Sequence, residues 1–352
     1  MGIRLRLRQE LRRGVQQCHA LWHGSIAPLR VPQERDKLAA IQALVRIHET
    51  RLPEGLQQGS EQLVLFSHYH PRGWLQRCIR RELLDLRARG WPLLLLTGEL
   101  DSDALSWCEQ NGIGWLRRRN EGRDFGAFQD GWLWLQQQRL VSGLKRLILL
   151  NDSVYPVLGL EATSWPRFLD HFGDEVLGFS DCFQNGYHLQ SYGLHLSSAV
   201  IHQPWWDDFW RNYRGWGGTH VAIREGEIGL SQLLLNQGIT LRALHPVSSL
   251  RAQIASKELL EQLQNYCSGT AAIWIQNQLL STGMSSLNFY STAHYWAIPL
   301  LLDGCPFIKR WLFESNEGQM LDPLLIAGGK SGLVDPQELM DYLRPPVIGF
   351  AG

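Results

Sequence analysis

The sequence has 352 residues, 44% of them hydrophobic, which suffices for a sizeable core in one large domain or two. Lysine plus arginine and aspartate plus glutamate each number 34, so the formal net charge is zero, and this balance excludes the basic footprint of a nucleic-acid-binding protein. The six cysteines have no CxxC spacing, which argues against a zinc site and a disulfide framework and indicates a reducing compartment.

Residues 1–60 are predicted to form a helical N-terminal extension. Arginines and leucines alternate at positions 4–8, and this mixture fits either peripheral contact of residues 1–14 with an anionic membrane or a solvated basic terminus. Residues 33–52 have the apolar spacing of a helix. The sequence shows neither the apolar segment of a signal peptide nor a run of the ~20 apolar residues that crosses a membrane. We therefore expect a cytoplasmic protein, peripheral on the inner face of the membrane.

Strand-like and helix-like segments alternate along the next part of the chain. This alternation is typical of an α/β fold with a doubly wound, mostly parallel sheet. Beyond residue 153 the pattern becomes mixed α+β. We assign residues 61–250 to one ligand-binding domain and residues 251–352 to a mostly helical C-terminal region packed on it. Strands are predicted at 62–67, 91–97, 113–116 and 147–150, and helices at 74–89, 101–111 and 128–140.

The strongest functional signal lies between Asn120 and Ser153. A Gly-containing loop, NEGRDFGA, leads into the third helix, and the fourth strand runs into the polar triplet Asn-Asp-Ser. In open α/β sheets, ligands bind at the carboxyl ends of the strands, and a helix N-terminus attracts anions. The alternative is a simple turn, because Asn, Asp and Ser also bond their own backbone. The two signals together, one helix apart, favour a ligand site.

Five sequence blocks stand out along the chain: residues 120–126 (NEGRDFG), 149–153 (LLNDS), 187–192 (YHLQSY), 291–296 (STAHYW) and 306–310 (PFIKR). They resemble the rhamnan synthesis protein F family, whose order and spacing they match from about residue 62 to residue 316. The resemblance implies a GT-A-like glycosyltransferase that makes surface polysaccharide from a nucleotide sugar, often dTDP-rhamnose. The fold it implies is a GT-A-like sheet, to which the sequence pattern adds helical N- and C-terminal extensions.

The end of the fourth strand departs from the pattern that the resemblance implies. GT-A enzymes usually hold a divalent metal with an Asp-x-Asp motif after this strand, whereas Asn151, Asp152 and Ser153 stand here. One carboxylate fewer weakens a Mg²⁺ site, which is built from carboxylates and substrate phosphates. Asp152 is therefore the candidate ligand for a Mg²⁺ or Mn²⁺ cofactor, and metal dependence stays open.

The donor, a nucleotide-diphosphate sugar, is expected to bind around this loop and strand end. Arg123 matches phosphate oxygens bidentately, or pairs with Asp124. Asp124 contacts a hydroxyl of the nucleotide or sugar, or caps the helix. Asp152 is the best candidate for contact with the sugar phosphate. The donor-binding candidates are His68, Asn120, Gly122, Arg123, Asp124, Asn151, Asp152 and Ser153.

Deprotonation of the acceptor hydroxyl requires a base, which in an inverting enzyme is a carboxylate. Glu225 and Glu227 follow the Gly-rich loop 215–218 and are expected at a helix start, whereas Asp181 ends a predicted strand. Analogy with GT-A enzymes favours Glu227 as the catalytic base. Asp181 is the second candidate and Glu225 the third. The alternative for Glu227 is a first-turn residue that the helix dipole stabilises.

The glycan acceptor is expected to meet polar residues in the second half of the chain. His188, Gln190 and Tyr192 alternate, so on a strand they would share one face, which either binds sugar hydroxyls or forms a polar strand edge. The C-terminal region adds His294 and the adjacent Lys309 and Arg310 as acceptor or sugar-binding candidates. Alternatively, Lys309 and Arg310 close over the diphosphate, or they cap a helix.

The main hypothesis is a glycosyltransferase that moves a sugar, such as rhamnose, from a nucleotide-diphosphate donor to a growing surface polysaccharide or lipid-linked glycan. The alternative is a non-catalytic sugar-binding or scaffold subunit of a polysaccharide assembly complex, which the incomplete Asp-x-Asp motif favours. The intact NEGRDFG and YHLQSY blocks favour the transferase. A Rossmann dehydrogenase is excluded because no GxGxxG follows the first strand.

Removal of residues 1–14 is expected to abolish binding to anionic vesicles. Each basic residue near such a surface contributes about 1 kcal/mol, and added salt screens this attraction. Co-sedimentation of the full chain and the shortened chain with anionic and neutral vesicles measures the difference. Equal binding of both chains to anionic vesicles would exclude the N-terminus as the membrane contact.

Overall fold

The computed structural model of the protein describes residues 45–214, 219–254, 256–264, 270, 272–273, 276–277, 292–314 and 333–343. Residues 1–44, which hold most of the expected N-terminal extension, lie outside these ranges. So do the Gly-rich loop 215–218 and the first residue of the STAHYW block.

Eleven strands are present in the described part of the chain, and nine of them form one sheet. The order across this sheet is β1-β4-β3-β2-β5-β9-β7-β10, with β8 paired to β7, while β6 and β11 form a separate pair. The strands are β1 Ile47–Arg51, β2 Gln62–His68, β3 Leu93–Thr97, β4 Gly114–Arg118, β5 Arg146–Asn151, β6 Val154–Pro156, β7 Val176–Cys182, β8 His188–Leu189, β9 Gly193–Ser197, β10 Leu241–His245 and β11 Phe307–Lys309.

Helices connect these strands and cover the sheet. A 3₁₀ turn spans Leu160–Ala162. The helix α7 is composite: it starts with Thr219–Val221, continues through the π-helical segment Ala222–Ile228, and ends with Gly229–Asn236. The others are α1 Arg77–Ala88, α2 Ser102–Gln110, α3 Arg123–Gln137, α4 Trp165–Leu169, α5 Ser198–Ile201, α6 Pro204–Asn212, α8 Val247–Ile254, α9 Lys257–Gln264, α10 Thr292–Tyr295, α11 Ala297–Leu302, α12 Arg310–Glu314 and α13 Pro336–Leu343.

The strand β2 is where the direction of chain winding reverses. From β2 the chain moves to one side through β3 and β4, and then returns to place β5 on the other side of β2. All four of these strands are parallel, and six of the nine sheet strands run in this direction. In such sheets the crevice at the reversal point, at the carboxyl ends of the strands, is the usual ligand site.

The core lies on both faces of this sheet. Alternate residues of a strand point to opposite faces, and in β2 every residue after Gln62 is buried. Val64 and Phe66 join the apolar cluster that contains Ile79 of α1. Leu63 and Leu65 join a second cluster, which includes large side chains of α3 and α6. This confirms the expected class: the fold is α/β, with a mostly parallel central sheet between helices, consistent with a GT-A-like fold.

Two local predictions were wrong. Residues 47–51, within the predicted helix 33–52, form the edge strand β1, which pairs antiparallel with β4. Four of these five residues are exposed, so backbone pairing rather than an apolar face decides their conformation. The sequence also predicts a strand over residues 193–201, but β9 ends at Ser197, and the chain turns there into the short helix α5.

Buried ion pairs join the start of β1, the end of β4 and the middle of α3. Asp130 is fully buried, and its carboxylate accepts from Arg46 Nη2 at 2.6 Å and from Arg118 Nε at 2.5 Å. Arg118 also donates to the carbonyl oxygen of Glu121. Because that carbonyl precedes the first turn of α3, the cluster fixes the loop that enters the helix.

Replacement of Asp130 by alanine is expected to destabilise the protein by about 3–5 kcal/mol, because two buried guanidinium groups lose their counter-charge. Denaturant titration of Asp130→Ala gives the free energy of unfolding. Asp208→Ala is the matched control, because Asp208 is also a helical aspartate but is largely exposed and lies 3.8 Å from its partner Arg211. A loss below about 1 kcal/mol in Asp130→Ala, similar to that of an exposed pair, would contradict this structural role.

No helix in the described ranges is long and apolar enough to cross a membrane.

Candidate functional site

The carboxyl ends of β2 and β5 stand level with each other. The parallel register places Ser67 beside Asn151, and the backbone N–H of Asp152 donates to the carbonyl oxygen of Ser67 at 3.1 Å. Asn151 is buried, and its side chain donates to the carbonyl oxygen of Ser191 and accepts from the backbone N–H of Ser153. Asn151 therefore holds the strand end in place, and its amide is committed to protein contacts.

The carboxylate of Asp152 contacts residues at the end of β2 and directly after it. Its Oδ2 lies 2.8 Å from Nδ1 of His68 and accepts from the backbone N–H of Tyr69 at 2.9 Å. Nε2 of His68 lies 2.9 Å from the carbonyl oxygen of Trp74. The ring of His68 therefore lies between two hydrogen-bond acceptors, the carboxylate of Asp152 and the carbonyl oxygen of Trp74. His68 is buried, so this donor-binding candidate positions Asp152.

These contacts favour the ionised form of the Asp152 side chain. Burial by itself raises the pKa of Asp152, but its hydrogen bond to His68, the charge of that imidazole and the Tyr69 N–H together lower the pKa below the usual value. Arg310 contributes to the same lowering. Asp152 is therefore ionised at neutral pH. Its side chain is 13% exposed.

The entrance to α3 has an unusual backbone. Gly122 and Arg123 both have left-handed φ angles, 75° and 54°, and a non-glycine residue adopts this conformation only where the surroundings impose it. A Cβ atom on Gly126 would collide with the carbonyl oxygen of Glu121, so the close turn requires glycine there. Asn120 and Arg123 are exposed at this turn, where a ligand can reach them.

Asp124 lies in the first turn of α3 and faces β2. Its Oδ1 accepts from Ser67 Oγ at 3.2 Å. Burial, followed by the charge of Asp152, raises the pKa of Asp124 to about 6. The two carboxylates are therefore close enough to repel each other, which is the arrangement expected where a cationic or hydroxyl-bearing ligand belongs.

The C-terminal region supplies the cation of this cluster. β11 pairs antiparallel with β6 so that Lys309 lies opposite Val154, immediately after the polar strand end. The Lys309 ammonium donates to Ser153 Oγ at 2.9 Å and lies 5.4 Å from the centre of the Tyr192 ring. Burial lowers the pKa of Lys309. The negative charges that oppose this shift belong to Glu227, Asp124 and Asp152.

Glu227 lies on α7, and its charge acts on Lys309 as the charges of Asp124 and Asp152 do. The prediction that it starts a helix was wrong: the chain is already helical at Thr219–Val221, and Glu227 lies in the π-helical segment that follows. Such segments occur frequently at functional sites because they change the direction in which side chains point. Glu227 Oε1 accepts from the backbone N–H of Ser191 at 2.6 Å and from its hydroxyl at 2.9 Å.

The second oxygen of Glu227 faces a histidine. Its Oε2 lies 3.9 Å from Nε2 of His188, whose Nδ1 donates to the carbonyl oxygen of Gly186 at 2.8 Å. Burial by itself lowers the pKa of His188, but its hydrogen bond to Cys182 and the charge of Glu227 raise it to about 9. A protonated His188 therefore stands behind the Glu227 carboxylate at neutral pH.

The other two candidate bases have different surroundings. Asp181 is buried, and its Oδ1 accepts from the backbone N–H of Val247 at 2.7 Å, at the start of α8. Burial raises the pKa of Asp181. Glu225 is partly exposed and pairs with Arg224 at 2.8 Å. Neither has the combination of Ser191 and His188 contacts that holds Glu227.

His188, Gln190 and Tyr192 do not share one face of a single strand. β8 ends at Leu189, and Gln190 and Tyr192 lie in the turn region before β9. The Ser180 hydroxyl donates to Gln190 Oε1 at 2.8 Å, and its oxygen lies 2.7 Å from the Tyr192 hydroxyl. Tyr192 is only 2% exposed, so it cannot stack on a sugar. Its ring instead packs against the Lys309 ammonium.

The remaining C-terminal candidates lie beside this cluster. His294 stands 4.8 Å from the ring of the exposed Trp311, and burial followed by the charge of Lys309 lowers the pKa of His294 to about 4. The backbone N–H of Arg310 donates to the carbonyl oxygen of Ser153 at 3.0 Å, and its guanidinium lies 5.0 Å from the Tyr342 ring.

Sequence reasoning missed three residues that hold the site together. Ser67 binds Asp124, Ser191 binds Glu227, and the Tyr342 hydroxyl donates to the carbonyl oxygen of Asp152 at 2.8 Å. Ser67 and Ser191 adjoin residues that were singled out, so their positions at a strand end and in the YHLQSY block were available signals. Tyr342 is 190 residues away in sequence from its partner, and no local pattern indicates that contact.

The donor set does not suit a divalent metal. Within the described ranges no group of three or more His, Cys, Asp and Glu side chains is arranged to hold one. Mg²⁺ demands near-octahedral oxygen ligands, whereas Ser153 Oγ faces the Lys309 ammonium and Asp152 Oδ2 faces His68. Both neighbours are cations or proton donors, which oppose a metal ion.

Fold and site together define an α/β protein with a GT-A-like sheet and a cluster of charged side chains at the point where winding reverses. No protein-family model matches the sequence. The chain is 26% identical over 202 residues to "Uncharacterized protein y4gN" of Sinorhizobium fredii, an alignment that covers 55% of this chain and 51% of that protein. It is 25% identical over 223 residues to "Virulence protein VirA" of Vibrio anguillarum, with coverages of 62% and 66%. The chain thus spans about half to two thirds of these curated relatives.

Asp124→Asn is expected to remove a pH-dependent loss of stability. The pKa of Asp124 is about 6 in the folded protein, against an ordinary value of 3.8. Between these values the folded protein holds a proton that the unfolded chain lacks, so the free energy of unfolding falls as the pH rises through this window. The variant should match the parent near pH 4 and exceed it by about 1–3 kcal/mol near pH 7.

Denaturant titrations at both pH values measure this difference, with Asp208→Asn as the exposed control. A gain of the same size at pH 4 and pH 7 would show that the side chain acts through packing and not through its charge.

Proposed function

We propose that the protein is a glycosyltransferase that moves a sugar, such as rhamnose, from a nucleotide-diphosphate donor to a growing surface polysaccharide or lipid-linked glycan. One observation carries this proposal. Anionic, cationic and hydroxyl side chains from β2, β5, α3, α7 and β11 meet at the sheet's reversal point. Such a cleft offers both a binding place for a diphosphate and a carboxylate to serve as base.

The donor side of the cleft is the entrance to α3. The helix N-terminus attracts the negative diphosphate, and the exposed Arg123 supplies a planar fork that matches phosphate oxygens. Asp124 and Asp152 are assigned to hydroxyl groups of the donor, because carboxylates accept hydrogen bonds from hydroxyls. The diphosphate leaves with the electron pair of the broken bond to the sugar, so nearby positive charge stabilises the transition state.

The acceptor side is assigned to Glu227. The Ser191 N–H and hydroxyl fix one of its oxygens, which leaves Oε2 as the atom that takes the proton of the acceptor hydroxyl. His188, at 3.9 Å, keeps this carboxylate oriented. The acceptor oxygen then bonds to the anomeric carbon on the side opposite the diphosphate, so the reaction inverts the configuration. The exposed Trp311 beside His294 is suited to pack against the acceptor glycan.

The proposed location is the cytoplasm, at the inner face of the membrane. Nucleotide-sugar donors are cytoplasmic, and lipid-linked acceptors reside in the membrane. The arginine-rich start of the chain is the proposed contact with anionic lipid.

Glu227→Gln is expected to lower single-turnover sugar transfer by about 10²–10⁴-fold, the usual contribution of a general base. Donor affinity should change far less than the rate, since the base acts on the acceptor hydroxyl and not on the donor. Transfer of labelled sugar to glycolipid extracts, with dTDP-rhamnose first in a panel of nucleotide-diphosphate sugars, measures the rate. Calorimetry measures donor affinity in parallel.

Two further variants sharpen this test. Asp181→Asn should keep most activity, because asparagine still accepts from the Val247 N–H, and Glu261→Gln is an exposed control on α9. If Asp181→Asn is inactive while Glu227→Gln transfers at the parental rate, Asp181 is the base. The parent protein could also bind sugars or nucleotides but transfer no sugar from any donor of the panel. That result would favour the non-catalytic sugar-binding subunit instead.

A further inference from the structure

A lysine stands where a glycosyltransferase of this architecture would hold its metal. Lys309 Nζ lies 2.9 Å from Ser153 Oγ, at the third position of the Asn-Asp-Ser triplet. Backbone contacts fix this placement: Lys309 pairs with Val154 in the β6–β11 ladder, and the Arg310 N–H donates to the carbonyl oxygen of Ser153 at 3.0 Å. The ammonium is therefore a built part of the site and not a loosely placed surface charge.

Three side-chain oxygens of the triplet already have partners in the protein. Asn151 Oδ1 accepts from the Ser153 backbone N–H and hydroxyl, Asp152 Oδ2 faces His68 and the Tyr69 N–H, and Ser153 Oγ accepts from Lys309. A metal bound through these oxygens would have to displace such contacts and also sit beside an ammonium. Like charges at such short range repel strongly, most of all in a partly buried site.

The surrounding charge suits a fixed cation. The carboxylates whose charges act on Lys309 belong to Glu227, Asp124 and Asp152, and their negative charge favours the charged form of the lysine. Tyr192 adds the face of its ring at 5.4 Å, a contact that favours a cation. An ammonium has three donors, and Ser153 Oγ accepts one of them.

We propose that Lys309 supplies the positive charge that neutralises the donor diphosphate, so that donor binding and sugar transfer need no divalent metal. This rests on the proposed function. In the transfer step the bond between the anomeric carbon and the diphosphate oxygen breaks, and its electron pair stays on that oxygen beside the Lys309 ammonium. The acceptor oxygen bonds to the anomeric carbon, and its proton passes to Glu227. Lys309 acts by charge and transfers no proton.

The test measures binding of dTDP, UDP and GDP by calorimetry, in excess EDTA and in excess Mg²⁺, to the full chain. The parent should bind at least one of them with affinities that agree within about threefold in the two buffers. Lys309→Met should weaken that binding about 10–100-fold in both, as expected for loss of one charge-assisted hydrogen bond to phosphate. Lys145→Met is the control, because Lys145 is exposed and pairs with Glu61 at the opposite end of β5.

Three results would overturn the inference. Binding by the parent that is lost in EDTA and restored by Mg²⁺ contradicts it, and this arm needs no variant. Binding by Lys309→Met equal to that of the parent contradicts it as well, provided that thermal unfolding confirms the fold of the variant. Parental binding to none of the three nucleotides would instead contradict the proposed function itself.

Single-turnover transfer provides the second readout. Transfer by the parent should proceed in EDTA, and Lys309→Met should lose rate beyond its loss of affinity, because leaving-group charge develops only in the transition state. A variant that transfers at the parental rate once saturated with donor would show that Lys309 only binds the ground state.

Discussion

Everything in the site depends on the pairing of β2 with β5. These strands are separated in sequence by two strand–helix units, yet the register aligns Ser67 with Asn151, and the ladder extends one residue further through Asp152. A shift by one residue would turn every side chain to the other face of the sheet. The apolar residues of both strands, buried on both faces, forbid that shift, so the core sets where the polar ends meet.

Two features of this arrangement destabilise the folded protein. The negative charge of Asp152 acts on Asp124, and the resulting repulsion contributes to the raised pKa of Asp124. At α3 the chain also adopts left-handed backbone at Arg123. Such costs persist only where the rest of the fold over-determines them. Here the Asp130 ion pairs and the sheet provide that support, and the strained groups are those assigned to ligand.

The C-terminal part of the chain completes the cleft from a distance. β11 brings Lys309 to Ser153, and the Tyr342 hydroxyl donates to the carbonyl oxygens of Asp152 and Val154. α13 is itself tied to α1, because Glu338 pairs with Arg81 at 2.9 Å. The charge balance of the site is thus set by two segments that are more than 150 residues apart in sequence, and each is incomplete without the other.

The sequence alone determined the architecture and the first half of the site. Periodicity marks β2, β3 and β5 because buried strands are apolar throughout, and the polar residues after β5 stand out for the same reason. Asp152 and Asp124 were found in this way. Analogy and local pattern also pointed to Glu227, although it lies inside a helix and not at its start.

Only the tertiary structure decided what each polar group does. The pairing of β6 with β11 and the reach of Tyr342 depend on long-range packing, which leaves no local trace in sequence. The same applies to His68, whose burial makes it a support for Asp152, and to Tyr192, which the core covers. Residue type and spacing predict which groups gather at a strand end. Burial and hydrogen-bond partners decide which of them remain available to a ligand.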